Sequence, residues 1–453
     1  MKGDDSLAAF NKTDFIVMAL GNIIGSGIFL ASSLVISVAG TWAPLAYFLG
    51  GLVMIMEVSF IIEMTIADPI PGSFKAHAQE VFGDWWGFMI GWMFWTSGVL
   101  GMASEVTACA IFIRLWLPSI PLWICSLIFA IGITMLNFND IKGLSKIELG
   151  LSITKVTTLV VFVIIGFIVI LGVPIGGATK IVTPLQSFFP PPLGEFPNML
   201  GSMLLILFAY TGTGIIGIAA TETKNPEEIV PPATKIITFS VVILYTLSAF
   251  FIIALLPLEL LDGKISPFVQ LFTIFKIPFA GDLVNFILLT AALSSLNSQV
   301  YSSSRMLFSL AKENQAPEIA GYQSSKGVPI AAVAISGVVL LGAAMLSYLL
   351  PETIFIYTVS ASGFLALINW MSVSATHFYY RKKLLSASPE KLKYKAPGYP
   401  YLSWICFFII LIAILSTPLY PDQLPGLYSG LLILLIINCA YFIHNSFQNR
   451  KSK

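Results

Sequence analysis

GNIIGSGIF, from Gly21 to Phe29, is the stretch that decides the fold, because it sets three glycines, Asn22 and Ser26 into an apolar run. Glycine costs about 1 kcal/mol relative to alanine inside a helix. A helix of membrane length with its weakest helix formers near its middle is expected to break there. Such a break frees backbone N–H groups at the start of one half-helix and carbonyl groups at the end of the other.

The rest of the chain is dominated by apolar residues. Of its 453 residues, 57% are hydrophobic and 10% are charged, whereas soluble proteins carry about 25% charged residues. Many apolar runs approach the roughly 20 residues that a helix needs to cross a bilayer. Backbone polar groups inside a bilayer must be satisfied within the segment, so these runs are expected to be helices. The composition predicts an all-α membrane protein embedded in lipid.

Apolar runs separated by proline, glycine and charged residues predict twelve spans. They lie at 13–37, 41–65, 84–113, 121–138, 148–172, 198–222, 235–256, 281–310, 329–349, 353–375, 401–418 and 427–446. An even number places both termini, 1–12 and 447–453, on one side. That side receives 19 of the 24 lysines and arginines and the other side four, with Lys155 inside a span. The positive-inside rule predicts cytoplasmic termini in a plasma (inner) membrane protein.

A second glycine-rich stretch, FAYTGTGIIGIAATE at 208–222, lies in the sixth predicted span and contains three glycines among threonines. Interrupted spans at corresponding positions of two halves are the best sequence indication of a transporter site. The two stretches are five spans apart, so the second crosses the membrane in the opposite sense. This predicts two inverted five-helix repeats, 13–172 and 198–375, followed by two accessory helices within 401–446.

The backbone groups freed at these breaks suit a small zwitterion. The N–H end carries partial positive charge and suits a carboxylate, whereas the carbonyl end suits an ammonium group. An α-amino acid has both groups on one carbon and is the expected ligand. The alternative is that the glycines only let helices pack closely, as small residues do in membranes. Two interrupted spans at paired positions favour the binding site.

Four motifs resemble the amino acid–polyamine–organocation (APC) superfamily, and within it the bacterial amino acid transporter family. They are GNIIGSGIF in span 1, EMTIADPIPGSF closing span 2, TETKNPEEIVPPA after span 6, and YSSSRMLFSLAKENQAP with GVPI after span 8. The similarity covers nearly the whole chain. It implies a leucine-transporter-like fold of twelve transmembrane helices, with a 5+5 inverted repeat, broken helices 1 and 6, and two C-terminal helices.

The resemblance also implies a substrate site at the two breaks. Ser26 and Gly27 would offer N–H groups to the substrate carboxylate, with the Ser26 hydroxyl as a further donor. The carbonyls of Ile23, Phe208 and Thr211 would accept from the α-ammonium. The Phe208 ring stands where the family has an aromatic gate, the alternative being an ordinary core contact. The predicted set is Ile23, Gly25, Ser26, Gly27, Phe208, Ala209, Thr211, Gly212 and Gly214.

Gly214 departs from the pattern of many of these permeases, which read Gly-Thr-Glu where this chain reads Gly-Thr-Gly. The missing carboxylate removes a partner for a cationic side chain and opens volume. Five isoleucines near the breaks predict an apolar lining: Ile23, Ile24, Ile28, Ile215 and Ile216. We therefore expect a neutral substrate, with an apolar or branched side chain favoured.

Lys155 is the basic residue inside a predicted span, and ionisable residues within a membrane are functional hypotheses by default. Similar proton-coupled or sodium-independent members of the superfamily have a lysine in this context, near the sodium position of sodium-driven relatives. The resemblance implies proton coupling, with sodium less favoured, and adds Ser294 and Ser295 as candidate neighbours. The alternative is a structural cation that ties helix 5 to helices 1 and 8. Glu105 is a second coupling candidate or a hydrogen-bonding group between helices.

Four further carboxylates lie in or near the predicted spans. Glu57 in span 2 has no assigned role. Glu63, Glu148 and Glu222 lie near span ends, where a salt bridge that closes the inner side is as plausible as coupling.

The leading hypothesis is a secondary active amino acid permease that works by alternating access. An amino acid exchanger is the alternative, and a non-transporting nutrient sensor is disfavoured because no signalling domain is evident. The four cysteines and three histidines are scattered and no nucleophile–base motif is present, so neither an enzyme nor a metal or cofactor is expected. A net charge of +1 gives no reason to expect nucleic acid. The expected partners are an amino acid, protons and the lipid bilayer.

Overall fold

The computed structural model describes residues 11–70, 72–138, 141–175, 192, 194, 196–221, 223–261, 265–325, 327–351 and 353–451. In the first half the helices are α1 Lys12–Ile23, α2 Ser26–Phe29, α3 Ala31–Ala39, α4 Ala43–Ala67, α5 Phe74–Phe82, α6 Asp84–Arg114, α7 Leu122–Leu136 and α8 Ile141–Ile170. In the second half they are α9 Phe196–Tyr210, α10 Ile215–Thr221, α11 Pro226–Leu255, α12 Pro267–Ile274, α13 Ala280–Lys312, α14 Ile330–Leu349, α15 Ile354–Ala387, α16 Tyr401–Ser416 and α17 Leu424–Lys451.

Ten helical segments among the described residues are long and apolar enough to cross a membrane. One of them joins α3 to α4 through a short 3₁₀ turn at Gly40–Trp42. Gly40 has φ +56°, a conformation that favours glycine, so the predicted boundary between spans 1 and 2 coincides with a real change of backbone. The helix α7 is apolar but has 15 residues. The structure confirms a helical membrane protein, and the twelve-span topology stays a prediction.

Several helices extend beyond the predicted apolar runs. The helix α11 begins at Pro226 instead of 235, and α15 continues to Ala387 instead of 375. Hydropathy marks the apolar part of a helix, whereas the hydrogen-bonded backbone continues into polar sequence. The short helices α5 and α12 were not predicted, because neither has the length of a span.

The interrupted helices lie at the centre of the bundle. The α9–α10 segment is 89% buried over its most apolar window, whereas the window of α17 is 22% buried. The helix α1 contacts α8, α10, α11 and α13. The long helix α6 packs on α13 and α15, while α16 and α17 cover the outer side of α15. The apolar outer surface of α17 therefore faces lipid, and the glycine-rich stretches are enclosed.

Candidate functional site

The first glycine-rich stretch interrupts its helix as predicted. The helix α1 ends at Ile23, and α2 begins at Ser26. Ile24 and Gly25 between them are extended, with φ/ψ of −89°/98° and −141°/−153°. A residue in the extended conformation cannot continue the helical ladder, so backbone groups on both sides lose their partners within the helix.

The second stretch is tightened instead of fully unwound. The helix α9 ends at Tyr210, and a 3₁₀ turn at Thr211–Gly214 leads into α10. The Thr211 hydroxyl donates to the Phe208 carbonyl at 2.8 Å, and the Thr213 hydroxyl donates to the Tyr210 carbonyl at 3.0 Å. The threonines therefore satisfy carbonyls at the end of α9. The Phe208 carbonyl, predicted to accept from a substrate ammonium group, already accepts one hydrogen bond from this local hydroxyl.

The two interruptions contact each other directly. The Asn22 amide donates to the Gly212 carbonyl at 2.6 Å. A Cβ atom on Gly212 would lie 2.2 Å from the Asn22 carbonyl oxygen, and one on Gly27 would lie 2.9 Å from the Ala209 Cα. Both neighbours are backbone atoms that cannot easily move aside. Gly212 and Gly27 thus serve close backbone approach, which was the alternative reading of the glycines.

A cavity of about 80 Å³ lies between these segments, α6, α13 and α15. That volume has room for several water molecules. Eight of the nine predicted site residues line it: Ile23, Gly25, Gly27, Phe208, Ala209, Thr211, Gly212 and Gly214. Ser26 is fully buried and does not belong to the wall. The structure therefore brings together the residues predicted from two distant parts of the sequence.

The Ser26 N–H group is held by a carboxylate of the protein itself. Both Glu105 oxygens accept from it, at 3.0 and 3.1 Å, and Glu105 also lies on the cavity wall. The Ser295 hydroxyl donates to Glu105 at 3.1 Å, and the Gln299 amide donates to Ser295 at 3.1 Å. The Ser26 hydroxyl is buried and has no hydrogen-bond partner. Glu105 therefore occupies the donor that was predicted to receive a substrate carboxylate.

The Ile23 carbonyl, predicted to accept from an ammonium group, also has a partner. The Tyr245 hydroxyl on α11 donates to it at 3.0 Å. A carbonyl oxygen has two lone pairs, so the Ile23 and Phe208 carbonyls each retain capacity for a second donor. The predicted binding of a substrate ammonium by these carbonyls stays a prediction, with one acceptor position of each already used.

Lys155 on α8 ties the end of α1 to the bundle. Its ammonium is fully buried and donates to the Gly21 carbonyl at 2.7 Å, four residues before the break ends at Gly25. Ser294 donates to Glu148, and Ser295 donates to Glu105, so these serines bind carboxylates. The contact with Gly21 fits the structural reading of Lys155, and it also places a buried cation beside the break.

The predicted apolar lining is wrong for four of the five isoleucines. Ile23 lines the cavity, whereas Ile24, Ile28, Ile215 and Ile216 are buried outside its wall. The wall also carries side chains that sequence reasoning missed, both apolar (Ile61, Phe74, Phe94, Ala366, Trp370 and Val373) and polar (Asn22, Ser97, Gln299, Ser302, Ser362 and Asn369). On α15 the wall residues recur every three or four positions, which is one helical face. That spacing was visible in the sequence, but nothing there indicated that the face meets the breaks.

Comparison with known proteins decides the family. The family model described as amino acid permease matches residues 14–453. The chain belongs to the amino acid permease family. This confirms the resemblance to the APC superfamily.

Three bacterial relatives show how far the similarity extends. This permease is 33% identical to the amino-acid permease RocC of Bacillus subtilis, over 96% of this chain and 93% of that protein. It is 35% identical to the gamma-aminobutyric acid permease of the same organism, over 93% and 92%. It is 31% identical to the aromatic amino acid transport protein AroP of Escherichia coli, over 94% and 93%. Amino acid transport across a membrane is therefore its function at the level of the family.

Two buried carboxylates of the permease lie away from the cavity wall. Glu57 accepts from Ser374, which joins α4 to α15. Glu63 pairs with Arg381 at 2.9 Å and with the His377 ring at 3.2 Å. Glu63 is thus a salt-bridge residue at the end of α4. Glu222, a third predicted candidate, lies outside the described residues.

Proposed function

We propose that this permease is a secondary active transporter that imports a neutral L-α-amino acid together with protons, by alternating access. The observation that carries the proposal is the Glu105 carboxylate on the Ser26 N–H group at the cavity wall. A donor that already binds one carboxylate has the geometry to bind another. The narrower expectation of an apolar or branched side chain is no longer supported by four of the five isoleucines, which lie outside the wall, and rests on Ile61, Trp370 and Val373 instead.

The substrate carboxylate takes the place of Glu105. The N–H groups of Ser26 and Gly27 and the unpartnered Ser26 hydroxyl receive it. The α-ammonium binds the remaining lone pairs on the carbonyls of Ile23 and Phe208, together with the Thr211 carbonyl. Phe208, on the cavity wall, covers the bound amino acid.

Displacement of Glu105 links the substrate to the proton. A buried carboxylate that loses its hydrogen-bond donor is strongly destabilised unless it becomes neutral or gains a cation. Glu105 takes up a proton as the substrate binds, with Ser295 still beside it and Lys155 in the same buried region. We infer coupling to protons and not to sodium, because the Lys155 ammonium already supplies a positive charge at the Gly21 carbonyl.

The proposed transporter consists of two inverted five-helix repeats and two accessory helices. The repeats 13–172 and 198–375 contribute one interrupted helix each, and these meet at the cavity. Helices within 401–446 are accessory. The permease lies in the plasma membrane with both termini in the cytoplasm, as the distribution of lysines and arginines favours.

Uptake into purified proteoliposomes tests this function. A pH gradient, acidic outside, is imposed on vesicles that contain no amino acid, and each radiolabelled L-amino acid is offered in turn. The proposal expects net accumulation of at least one neutral amino acid, abolished by a protonophore. Uptake that requires an amino acid inside the vesicles would show an exchanger, and saturable binding without flux would show a sensor.

Lys155→Ala tests the coupling role separately. Removing the ammonium leaves the Gly21 carbonyl without its donor, so we expect pH-driven accumulation to fall by at least tenfold. Lys276→Ala, on an exposed lysine with φ +53° outside the membrane-length helices, is the matched control and should leave accumulation unchanged. Unchanged accumulation in Lys155→Ala, with normal amounts of folded protein, would remove Lys155 from the mechanism.

A further inference from the structure

One side of the cavity is not used by the carboxylate and ammonium contacts, and it carries both polar and apolar side chains. The helix α15 contributes Ser362, Ala366, Asn369, Trp370 and Val373 to the wall. These positions form one helical face, because they recur every three or four residues. An amino acid bound through its backbone groups at the breaks must direct its side chain into the remaining space of the same cavity.

Asn369 on this face carries unused hydrogen-bonding capacity. Its residue is 4% exposed, and neither the amide nitrogen nor the amide oxygen has a hydrogen-bond partner. A buried polar group without a partner costs about 1–3 kcal/mol. Both ends of one amide are affected here, so the amide is stabilised when a water molecule or a ligand group that both donates and accepts enters the cavity.

The other polar side chains of the wall form hydrogen bonds within the protein. The Ser97 hydroxyl donates to the Ser362 carbonyl at 2.9 Å, and the Ser362 hydroxyl donates to the Ser97 carbonyl at 2.8 Å. Ser302 donates to the Gln299 carbonyl at 3.2 Å. Asn22 uses its amide nitrogen on Gly212, which leaves only its oxygen unpartnered. Asn369 is thus the side chain of the described wall in which both amide atoms are buried and unpartnered.

The charge of the wall limits which substrate side chains can bind. Among the wall residues that the structure describes, Glu105 is the one charged side chain, and it is bound to Ser26 and Ser295. A cationic or anionic substrate side chain would therefore enter without a counter-ion of its own. Desolvating an unpaired charge is far more costly than desolvating a polar group that is hydrogen-bonded.

We propose that Asn369 is a specificity-determining residue that forms hydrogen bonds with a neutral polar side chain of the substrate, preferably a carboxamide. A carboxamide has one donor group and one acceptor, which match the acceptor and the donor of the Asn369 amide. This inference rests on the proposed function. It reverses the apolar preference expected from the sequence.

L-asparagine and L-leucine form the probe pair, because their side chains have the same branched shape and differ in polarity. Their dissociation constants are measured by calorimetry on the purified, full-length permease. Wild-type protein is expected to bind L-asparagine about tenfold more tightly than L-leucine, the effect of one to two net hydrogen bonds. Asn369→Leu is expected to abolish or invert this ratio.

Asn438→Leu is the matched control, because Asn438 bonds to Trp85 on the outer side of the bundle and should keep the wild-type ratio. If Asn369→Leu does not fold, Asn369→Ser provides the same comparison. A wild-type preference for L-leucine, or a ratio unchanged by both Asn369 variants, overturns the inference. Failure of these two amino acids to bind while another is transported also overturns it and leaves the proposed function standing. Failure of every amino acid to be transported contradicts the proposed function itself.

Discussion

At the residue scale, the site depends on which groups already have partners. The Ser26 N–H is occupied by Glu105, whereas the Ser26 hydroxyl and the Asn369 amide are unpartnered. The sequence was sufficient to predict the break at Gly25, because glycine weakens a helix whatever surrounds it. It was insufficient for Asn369, because an asparagine in an apolar run shows neither its partners nor the cavity it borders.

Gly214→Glu tests whether Gly214 lines the substrate cavity. Its Cβ would lie 3.0 Å from the edge of the Phe94 ring, a side chain that can shift by a few tenths of an ångström. The new carboxylate is expected to weaken neutral amino acids by about tenfold and to admit L-lysine or L-arginine, since a buried ion pair becomes possible. Competition for uptake measures both effects.

Gly214→Gln is the control for Gly214→Glu, because it adds nearly the same volume without the charge. It should weaken neutral amino acids without admitting cationic ones. If the two variants have the same substrate profile as the wild type, Gly214 does not face the substrate.

At the element scale, the fold is organised by two interrupted helices in contact. Their positions followed from glycine placement, and the all-helical character followed from composition. The 3₁₀ turn at Thr211–Gly214 could not be predicted from the sequence, because the threonine hydroxyls that tighten it can form hydrogen bonds in either an unwound or a helical backbone. The lengths of α11 and α15 were also underestimated, since hydropathy does not detect helix outside the lipid.

Gly212→Ala tests the contact between the interrupted helices. The added methyl group would overlap the Asn22 carbonyl oxygen, so the two segments must separate. We expect a loss of about 1–3 kcal/mol in stability, as for other overpacked sites, together with weaker amino acid binding. Gly342→Ala, where a Cβ meets nothing within 4 Å, is the control. Equal thermal unfolding temperatures for the two variants would contradict the close approach.

A buried histidine on the short helix α5, His77, is expected to make the stability of the folded protein depend on pH. His77 is buried against Tyr380, and neither ring nitrogen has a partner. Burial lowers the pKa of His77 from 6.5 to about 4, and Glu80 and Asp68 oppose this shift less strongly. As the pH falls below about 6.5, the unfolded chain takes up a proton that the folded chain does not. Stability is therefore full above pH 6.5 and falls by about 2 kcal/mol at pH 5.

Thermal unfolding of the detergent-solubilised protein between pH 7.5 and 5 measures the contribution of His77. His77→Phe keeps an aromatic ring that does not titrate, and its unfolding temperature should fall less over this range than that of the wild type. His444→Gln, which alters a half-buried ring near Phe88, should behave like the wild type. Identical pH profiles for His77→Phe and the wild type would contradict the assignment.

At the scale of the whole molecule, the proposed mechanism links amino acid binding to protonation through a single exchange of hydrogen-bond partners. We propose that the amino acid takes the Ser26 N–H and that Glu105 then becomes protonated. The buried Lys155–Gly21 contact holds the break of the first helix in place. In this proposal the two predicted repeats, 13–172 and 198–375, move about the site, so that the amino acid and the proton are carried together.

The most direct test counts the protons taken up when an amino acid binds. Calorimetry at pH 7.5 in buffers of different ionisation enthalpy is carried out with the L-amino acid that stabilises the purified permease most. We expect uptake of up to about one proton by the wild type and by Glu57→Gln, whose carboxylate lies away from the cavity. We expect no proton uptake by Glu105→Gln. Binding without proton uptake in the wild type, or the same uptake in Glu105→Gln, would contradict the proposed mechanism.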